Sequence, residues 1–149
     1  MNKSKFIKAA VISLLFIAYS CGNIHTKPDG AVVAFIIAAE QRDMTKAWNI
    51  LSPDLQSHYN SLGEKMRKSG RGALENEIAR ITKFRTVKKD YVIKQDSLNN
   101  TVINILTLGG PVHKIETVDV GGDFKIKDEA SLKNLLDGIS AERKEKDAY

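Results

Sequence analysis

The residues best suited to acid–base chemistry are His58 and Tyr59, adjacent side chains that can each hold or release a proton. A histidine that acts as a general base needs a partner that orients its ring, and no acidic residue stands at an obvious spacing from His58. The pair therefore has two interpretations. A surface or rim position without chemistry is favoured, and the acid–base centre of a small isomerase or hydrolase is the alternative.

The remaining histidines, acids and glycines do not predict a cofactor. Three dispersed histidines and a single cysteine form no recognisable metal cluster. His25 is predicted to lie in a solvated loop, and Asp43 is predicted to cap a helix rather than to act as an acid. Gly109-Gly110 and Gly121-Gly122 lack the strand-to-helix context of phosphate-binding loops and are predicted to form hairpin turns. We expect neither a metal nor another cofactor.

The one cysteine, Cys21, follows a segment with the layout of an export signal. Residues 1–8 contain three lysines and no acid, Ala9–Ala18 is apolar except for Ser13, and Ala18-Tyr19-Ser20 precedes the cysteine. A basic start, a short apolar stretch and small residues before the cleavage point are typical of secretory signals. The apolar run is about half of the roughly 20 residues that span a bilayer as a helix.

Because a cysteine directly follows the cleavage point, residues 1–22 resemble a bacterial lipoprotein signal. Ala18 and Tyr19 depart from the commonest pattern, which has leucine and then a small residue there. The resemblance implies that Cys21 becomes the mature N-terminus and carries acyl chains such as palmitate, which attach the protein to a membrane of the cell envelope. Gly22, where an aspartate is associated with inner-membrane retention, favours the outer membrane in a host with two. A secreted protein with an unmodified thiol and an uncleaved membrane helix stay open as alternatives.

The charge of the chain changes when the signal is removed. The full chain has a formal charge of +5, but residues 1–20 hold three lysines and no acid, so residues 21–149 have 20 basic and 18 acidic residues, a net +2. This small excess does not support nucleic-acid binding. With one cysteine the chain has no intramolecular disulfide, so burial of apolar side chains must stabilise the domain.

Positive charge is nevertheless concentrated in residues 64–89, which hold nine basic and three acidic residues. The candidate face for an anionic partner, here called the basic segment, comprises Lys65, Arg67, Lys68, Arg71, Lys83, Arg85, Lys88 and Lys89. Such a face could attract phospholipid head groups, an acidic glycan or an acidic protein. A solvated surface without a partner is the favoured alternative. Gly70-Arg71-Gly72 predicts that the middle of the segment is a mobile loop.

Hydrophobic periodicity predicts helices first and strands second. Apolar residues at helical spacing predict a helix behind Pro28, a second one capped by Asp43 with Ala47, Ile50 and Leu51 inward, and a third from about Ala73 to Phe84. Ser52-Pro53-Asp54 predicts the end of the second helix and a short turn through Tyr59. From Val87 apolar residues tend to recur at every second position, which predicts four strands, the last of which ends at Ile126. A last helix with leucines at helical spacing begins at Glu129, and a frayed charged tail follows.

This order predicts an α+β domain in which N-terminal helices pack on a curved antiparallel sheet of about four strands, followed by a C-terminal helix. Residues 28–35, 42–48 and 120–126 resemble corresponding segments of the nuclear-transport-factor-2-like superfamily, particularly small bacterial lipoproteins with a domain of unknown function. The resemblance implies a cone with an apolar cavity at its open end. It implies the boundaries 1–20 for the signal, 21–27 for a tether, 28–128 for the domain and 129–149 for the C-terminal helix and tail.

Members of this superfamily include isomerases and dehydratases as well as binding modules, so the fold alone does not give the function. The sequence favours a non-catalytic, membrane-anchored protein that binds an apolar small ligand or an envelope protein. An isomerase or hydrolase using His58 and Tyr59 and a purely structural envelope component are the alternatives. A homodimer is compatible with the fold, and nucleic acid is not an expected partner.

Overall fold

A computed structural model describes residues 25–87 and 90–142. The helices are α1 (Pro28–Glu40), α2 (Met44–Asn49), α3 (Pro53–Lys65), α4 (Gly70–Phe84) and α5 (Glu129–Ile139). The strands are β1 (Arg85–Val87), β2 (Tyr91–Gln95), β3 (Val102–Thr107), β4 (Val112–Val120), β5 (Asp123–Ile126) and β6 (Ser140–Glu142). None of the helices in these two ranges has the length and hydropathy that crossing a bilayer requires.

The helix α1 is apolar on nearly every side. Pro28 stands in its first turn, where a missing amide hydrogen costs nothing. Val32, Phe35 and Ile36 are buried, which confirms the predicted inner face, but Val33 and Ile37 remain exposed. A helix that is hydrophobic all round is normally enclosed by protein. The outer side of α1 therefore presents apolar surface beyond what the core uses.

The short helix α2 begins as predicted. The carboxylate of Asp43 accepts a hydrogen bond from the Lys46 backbone amide at 3.0 Å, and this bond holds the pKa of Asp43 below its usual value. Ala47, Ile50 and Leu51 are buried, as the periodicity predicted.

The turn predicted for residues 52–59 is wrong, because these residues open the 13-residue helix α3. Ser52 caps this helix by accepting a hydrogen bond from the Leu55 amide at 3.1 Å, and Pro53 occupies the first turn. Serine followed by proline and an acid ends one helix but equally begins the next. Leu55 and Tyr59 form the buried face of α3.

A tight corner joins α3 to α4. The Lys68 amide donates to the Gly63 carbonyl at 2.8 Å and the Arg67 amide donates to Glu64 at 3.1 Å, with Arg67 in the left-handed conformation at φ 54°. This is a Schellman ending, in which glycine usually takes the place of Arg67.

The mobile loop predicted for Gly70-Arg71-Gly72 is also wrong, since these residues form the first turn of α4. The Gly72 amide donates to the Ser69 hydroxyl at 3.1 Å, which caps the turn, and Gly70 is buried. Glycine normally lowers helix stability, but Gly70 permits close packing: an added Cβ there would come within 2.7 Å of Trp48.

Strands β2, β3, β4 and β5 form one antiparallel sheet in sequence order. The register aligns Ile93 with Ile105 and Ile103 with Ile115, so the side chains of one face meet across the strands. Helices α1 and α5 pack on the sheet. The predicted α+β class, with helices on a curled four-strand antiparallel sheet and a C-terminal helix, is thus confirmed.

Hydrogen bonds join the segment between α2 and α3 to the end of β5. The Ser52 amide donates to the Ile126 carbonyl at 2.9 Å, the Ile126 amide donates to Ile50 at 2.8 Å, and the Ser52 hydroxyl donates to the Lys127 carbonyl at 2.6 Å. A second sheet pairs β1 with β6 (Ser140–Glu142), so Ala141 and Glu142, predicted as part of a frayed tail, lie in a strand. Residues 143–149 lie outside the described residues.

Candidate functional site

A groove of about 300 Å³ runs along the side of α1 that faces α2. Ala34, Ile37 and Ala38 from α1 and Ile50 from the end of α2 provide its apolar lining. The polar residues that complete the lining are His25, Gln41, Lys46 and Asn49. The site is formed by positions 34, 37, 38 and 41, which share one face of a helix. The helical spacing of these positions is visible in the sequence, but apolar residues at this spacing predict only a buried helix face.

His25 lines the groove and is not the solvated loop residue predicted from the sequence. Its backbone carbonyl accepts a hydrogen bond from the Phe124 amide at 2.7 Å, which fixes it beside β5, and the residue is half-buried. Its ring nitrogen Nδ1 is buried and has no hydrogen-bond partner among the described residues. The prediction failed because the partner strand lies about one hundred residues further along the chain.

Lys46 contributes an ammonium group to the polar part of the groove. Lys46 lies 3.3 Å from the Asp43 carboxylate, and Lys125 donates a hydrogen bond to the Asn49 carbonyl. Asp43 therefore offsets the charge of Lys46, and neither Asp43 nor Lys125 lines the groove. Because Lys46 is largely exposed, its pairing with Asp43 contributes little to stability and does not prevent contact with a ligand.

The inner face of the sheet is filled rather than hollow at its centre. Ile103, Ile105, Ile115 and Ile126 are fully buried in the core that α1 and α5 complete. These four side chains do not line the apolar cavity that the superfamily resemblance implies. The groove described above lies between α1 and α2 instead.

His58 and Tyr59 lie on α3 beside a cleft of about 80 Å³. His58 Nε2 is 3.4 Å from Glu129 Oε2 at the start of α5, so an acid does accompany the histidine. Sequence spacing missed this partner because only the packing of α5 brings Glu129 to α3. The His58 side chain is 43 % exposed, which places it at the surface, whereas Tyr59 is buried.

The cleft is poorly suited to chemistry that uses both His58 and Tyr59. Burial raises the pKa of the Tyr59 hydroxyl, and the carboxylates of Glu77 and Glu129 raise it further, so the phenol stays protonated at neutral pH. His58 and Glu129 also line a second, more open cleft of about 220 Å³ with Leu55, Lys127 and two aspartates, and Tyr59 is not part of its lining. Within residues 25–87 and 90–142, no group of three or more His, Cys, Asp or Glu could hold a metal ion.

Part of the basic segment forms an exposed corner between α3 and α4. Lys65, Arg67, Lys68 and Arg71 are all exposed there, and Lys68 donates a hydrogen bond to Asn76 at 3.1 Å. The other members are not placed on this corner: Lys83 lies near the end of α4, Arg85 opens β1, and Lys88 and Lys89 lie outside the described residues, as does Cys21.

We expect reversal of the charges at Lys65, Arg67 and Lys68 to weaken salt-sensitive binding to anionic vesicles about 100-fold. Each basic residue near an anionic surface contributes about 1 kcal/mol, so the three losses multiply. The measurement is co-sedimentation of the unlipidated protein with phosphatidylglycerol vesicles at low and high salt. Reversal of the exposed lysines at positions 94, 114 and 133 is the control with equal charge. Equal losses in the two variants, or no binding by the wild type, would remove the proposed role of this corner.

No family model, no curated protein and no solved structure matches this chain, so its function must be argued from the fold, the groove and the surface charges.

Proposed function

We propose that this protein is an envelope lipoprotein with a nuclear-transport-factor-2-like domain, anchored by acyl chains on Cys21, that binds an apolar small ligand without catalysis. The signal layout of residues 1–22 supports the anchor, and the curled α+β fold is consistent with the superfamily. The groove between α1 and α2 supports ligand binding, and it is the single observation that carries the proposal.

The groove has the size and chemistry of a small ligand site. Ligand sites typically enclose about 300–1,000 Å³, with mostly apolar walls and a few polar groups, and this groove lies at the lower limit. The wall includes Ile37, whose side chain is 46 % exposed and therefore loses contact with water when a ligand binds. Packing of the hydrophobic core does not require Ile37 to be exposed.

The position of the groove fits a ligand that comes from a membrane. His25 is four residues from Cys21, and four extended residues reach at most about 14 Å. A domain anchored at Cys21 would thus hold the groove close to the bilayer surface. Apolar compounds concentrate in bilayers, so a site at this distance meets them at high local concentration.

The enzyme alternative has one observation in its favour, the approach of Glu129 to His58. Tyr59 is buried and does not line the larger cleft beside His58, which argues against a centre formed by the two residues together. Hydrolysis or isomerisation would require a substrate in the open cleft of about 220 Å³ that His58 and Glu129 also line. A purely structural role becomes the better explanation only if the groove binds nothing.

We expect Ile37→Asp to reduce the affinity for an apolar fluorescent dye at least about tenfold, because it places a carboxylate in the apolar wall. Val33→Asp is the matched control, since Val33 is a similarly exposed β-branched residue of α1 that does not line the groove. Dye fluorescence titration measures the two dissociation constants. If the wild type does not bind, or if the two variants lose affinity equally, the groove is not the binding site.

A further inference from the structure

The corner between α3 and α4 combines an exposed apolar side chain with basic neighbours. Lys65, Met66, Arg67 and Lys68 follow one another at the Schellman ending, and all four are exposed. We infer that this corner enters the interface of an anionic bilayer, with Met66 as the inserted side chain, and that the anchored domain then rests with α2 facing the membrane. This inference rests on the proposed function, because the orientation presupposes the anchor at Cys21.

The apolar part of the corner is Met66. It is 42 % exposed, whereas Leu55 and Tyr59 of α3 are buried. The Met66 amide donates to the carbonyls of Leu62 and Gly63 at 3.2 Å and 3.0 Å, so hydrogen bonds hold this residue at the end of the helix. Its flexible thioether side chain carries no strong hydrogen-bonding group, so it can leave water for the acyl region without losing such a bond.

The charged part of the corner surrounds Met66 in the sequence. Residues 65–71 contain four basic residues and no acid, and with Glu64 just before them the net charge over residues 64–71 is 4 − 1 = +3. Lys68 donates its hydrogen bond to Asn76, a neutral partner, so this bond leaves its charge in place. Basic side chains are attracted to anionic head groups, while an apolar neighbour enters the boundary between head groups and acyl chains. The corner provides both kinds of side chain.

Two other exposed apolar residues of the described chain, Leu98 and Leu108, are more exposed than Met66 but lack the basic neighbours. The Leu98 amide donates to the Asp96 carboxylate at 2.9 Å, and an acid at this tip is repelled by anionic head groups. Leu108 lies in the stretch 97–113, which contains no Lys, Arg, Asp or Glu. Of these three residues, Met66 alone has a basic residue directly on each side, so charge complementarity favours the corner.

The corner and the groove lie on different sides of α2. Trp48 contacts the corner, since a Cβ added to Gly70 would come within 2.7 Å of its ring, whereas Asn49 lines the groove together with His25. A helix is about 10–12 Å in diameter. The four residues from His25 to Cys21 reach at most about 14 Å. The anchor and the corner can therefore contact the same membrane surface at once.

Two membrane contacts orient a domain that a short tether alone would let rotate. Because α2 lies between the anchored end and the corner, it faces the bilayer when both contacts are made. The groove beside α2 is then held at the membrane surface, where the apolar ligand of the proposed function is concentrated.

The test uses the mature chain, residues 21–149, with Cys21→Ser, which contains no other cysteine. The environment-sensitive fluorophore NBD is attached at Met66→Cys and, as matched controls, at Leu98→Cys and Leu108→Cys. With phosphatidylglycerol vesicles we expect the fluorescence at position 66 to rise at least about twofold, shift to the blue and be quenched by brominated acyl chains. The labels at positions 98 and 108 are expected to stay in water. No change at position 66, or equal changes at all three positions, would overturn the inference.

Met66→Gln separates the apolar contact from the charges. We expect it to weaken co-sedimentation with the same vesicles about fivefold at low and at high salt, because salt does not screen the transfer of apolar surface. Charge reversal at Lys65, Arg67 and Lys68 is expected to lose most of its effect at high salt. Leu98→Gln is the matched control and is expected to bind as the wild type does. An effect of Met66→Gln that disappears at high salt, or an equal effect of Leu98→Gln, would contradict insertion.

Soluble polyphosphate distinguishes a membrane from an acidic polymer. We expect it to displace the vesicles without shifting the fluorescence of the label at position 66, and a blue shift with polyphosphate alone would overturn the inference. The dye titration with Ile37→Asp tests the groove separately. If the label at position 66 stays in water while the dye binds, the orientation is wrong and the proposed ligand site stands. If the dye does not bind, the proposed function fails whatever the label reports.

Discussion

Gly63→Ala is expected to lower the free energy of unfolding by about 2–3 kcal/mol, although alanine normally stabilises a helix relative to glycine by about 1 kcal/mol. Gly63 lies in the last turns of α3, where the chain folds back at the Schellman corner. An added Cβ would come within 2.7 Å of the Ser69 carbonyl group and 2.8 Å of the Lys68 oxygen. These are backbone atoms, so the clash can be relieved only by moving α4 away from α3.

Urea unfolding followed by the fluorescence of Trp48, the single tryptophan, measures this change. Trp48 is a suitable probe because it packs near Gly70 on the same corner. Gly72→Ala is the control, since the new Cβ would meet its neighbours only at 3.4 Å or more. We expect this variant to be as stable as the wild type or more stable. A stabilising Gly63→Ala would mean that the α3–α4 corner is looser than described.

Cys21→Ser is expected to move the protein from the membrane fraction to the soluble fraction, or to stall the uncleaved precursor. Each methylene of an acyl chain contributes about 0.8 kcal/mol to membrane binding, whereas a hydroxyl group carries no anchor. Ser20→Ala is the control, because it keeps a small residue before the cysteine and is expected to leave retention unchanged. Unchanged retention of Cys21→Ser would contradict lipidation as the anchor.

The intact mass of the wild-type protein purified from its own membranes gives an independent measurement. A mass that begins at Cys21 and includes acyl chains would support the proposed anchor and its reach to the groove. An unmodified mass beginning at residue 21 would favour the secreted alternative with a free thiol, and the full-length mass would favour an uncleaved helix.

The sequence predicted the helices and strands in which apolar residues repeat with the spacing of the buried face. The spacing of Leu132, Leu135 and Leu136 predicted α5, and alternation after Tyr91 predicted the strands, because one face of each element enters the core. The cap at Asp43 was equally predictable, since the bond to the Lys46 amide is local.

The wrong and missing predictions have two causes. Some local sequence patterns are compatible with two structures, and some contacts join residues that are far apart in the chain. Ser52-Pro53 ends one helix and begins another, so the local pattern could not exclude a turn. Three-residue strands such as β1 are too short to show a period. The pairing of His58 with Glu129 and the place of His25 beside Phe124 depend on packing, which no spacing along the chain reveals.

The hydrogen bonds that join Ser52 and Ile50 to residues 126 and 127 influence the order in which parts of the domain can fold. The hairpins of the β2–β5 sheet can form soon after synthesis, because paired strands are close in sequence. The helical half, in contrast, obtains its last partner only when β5 has emerged from the ribosome. For a precursor that is exported as proposed, this delay would leave the helical half incompletely folded while the chain passes through a translocation channel.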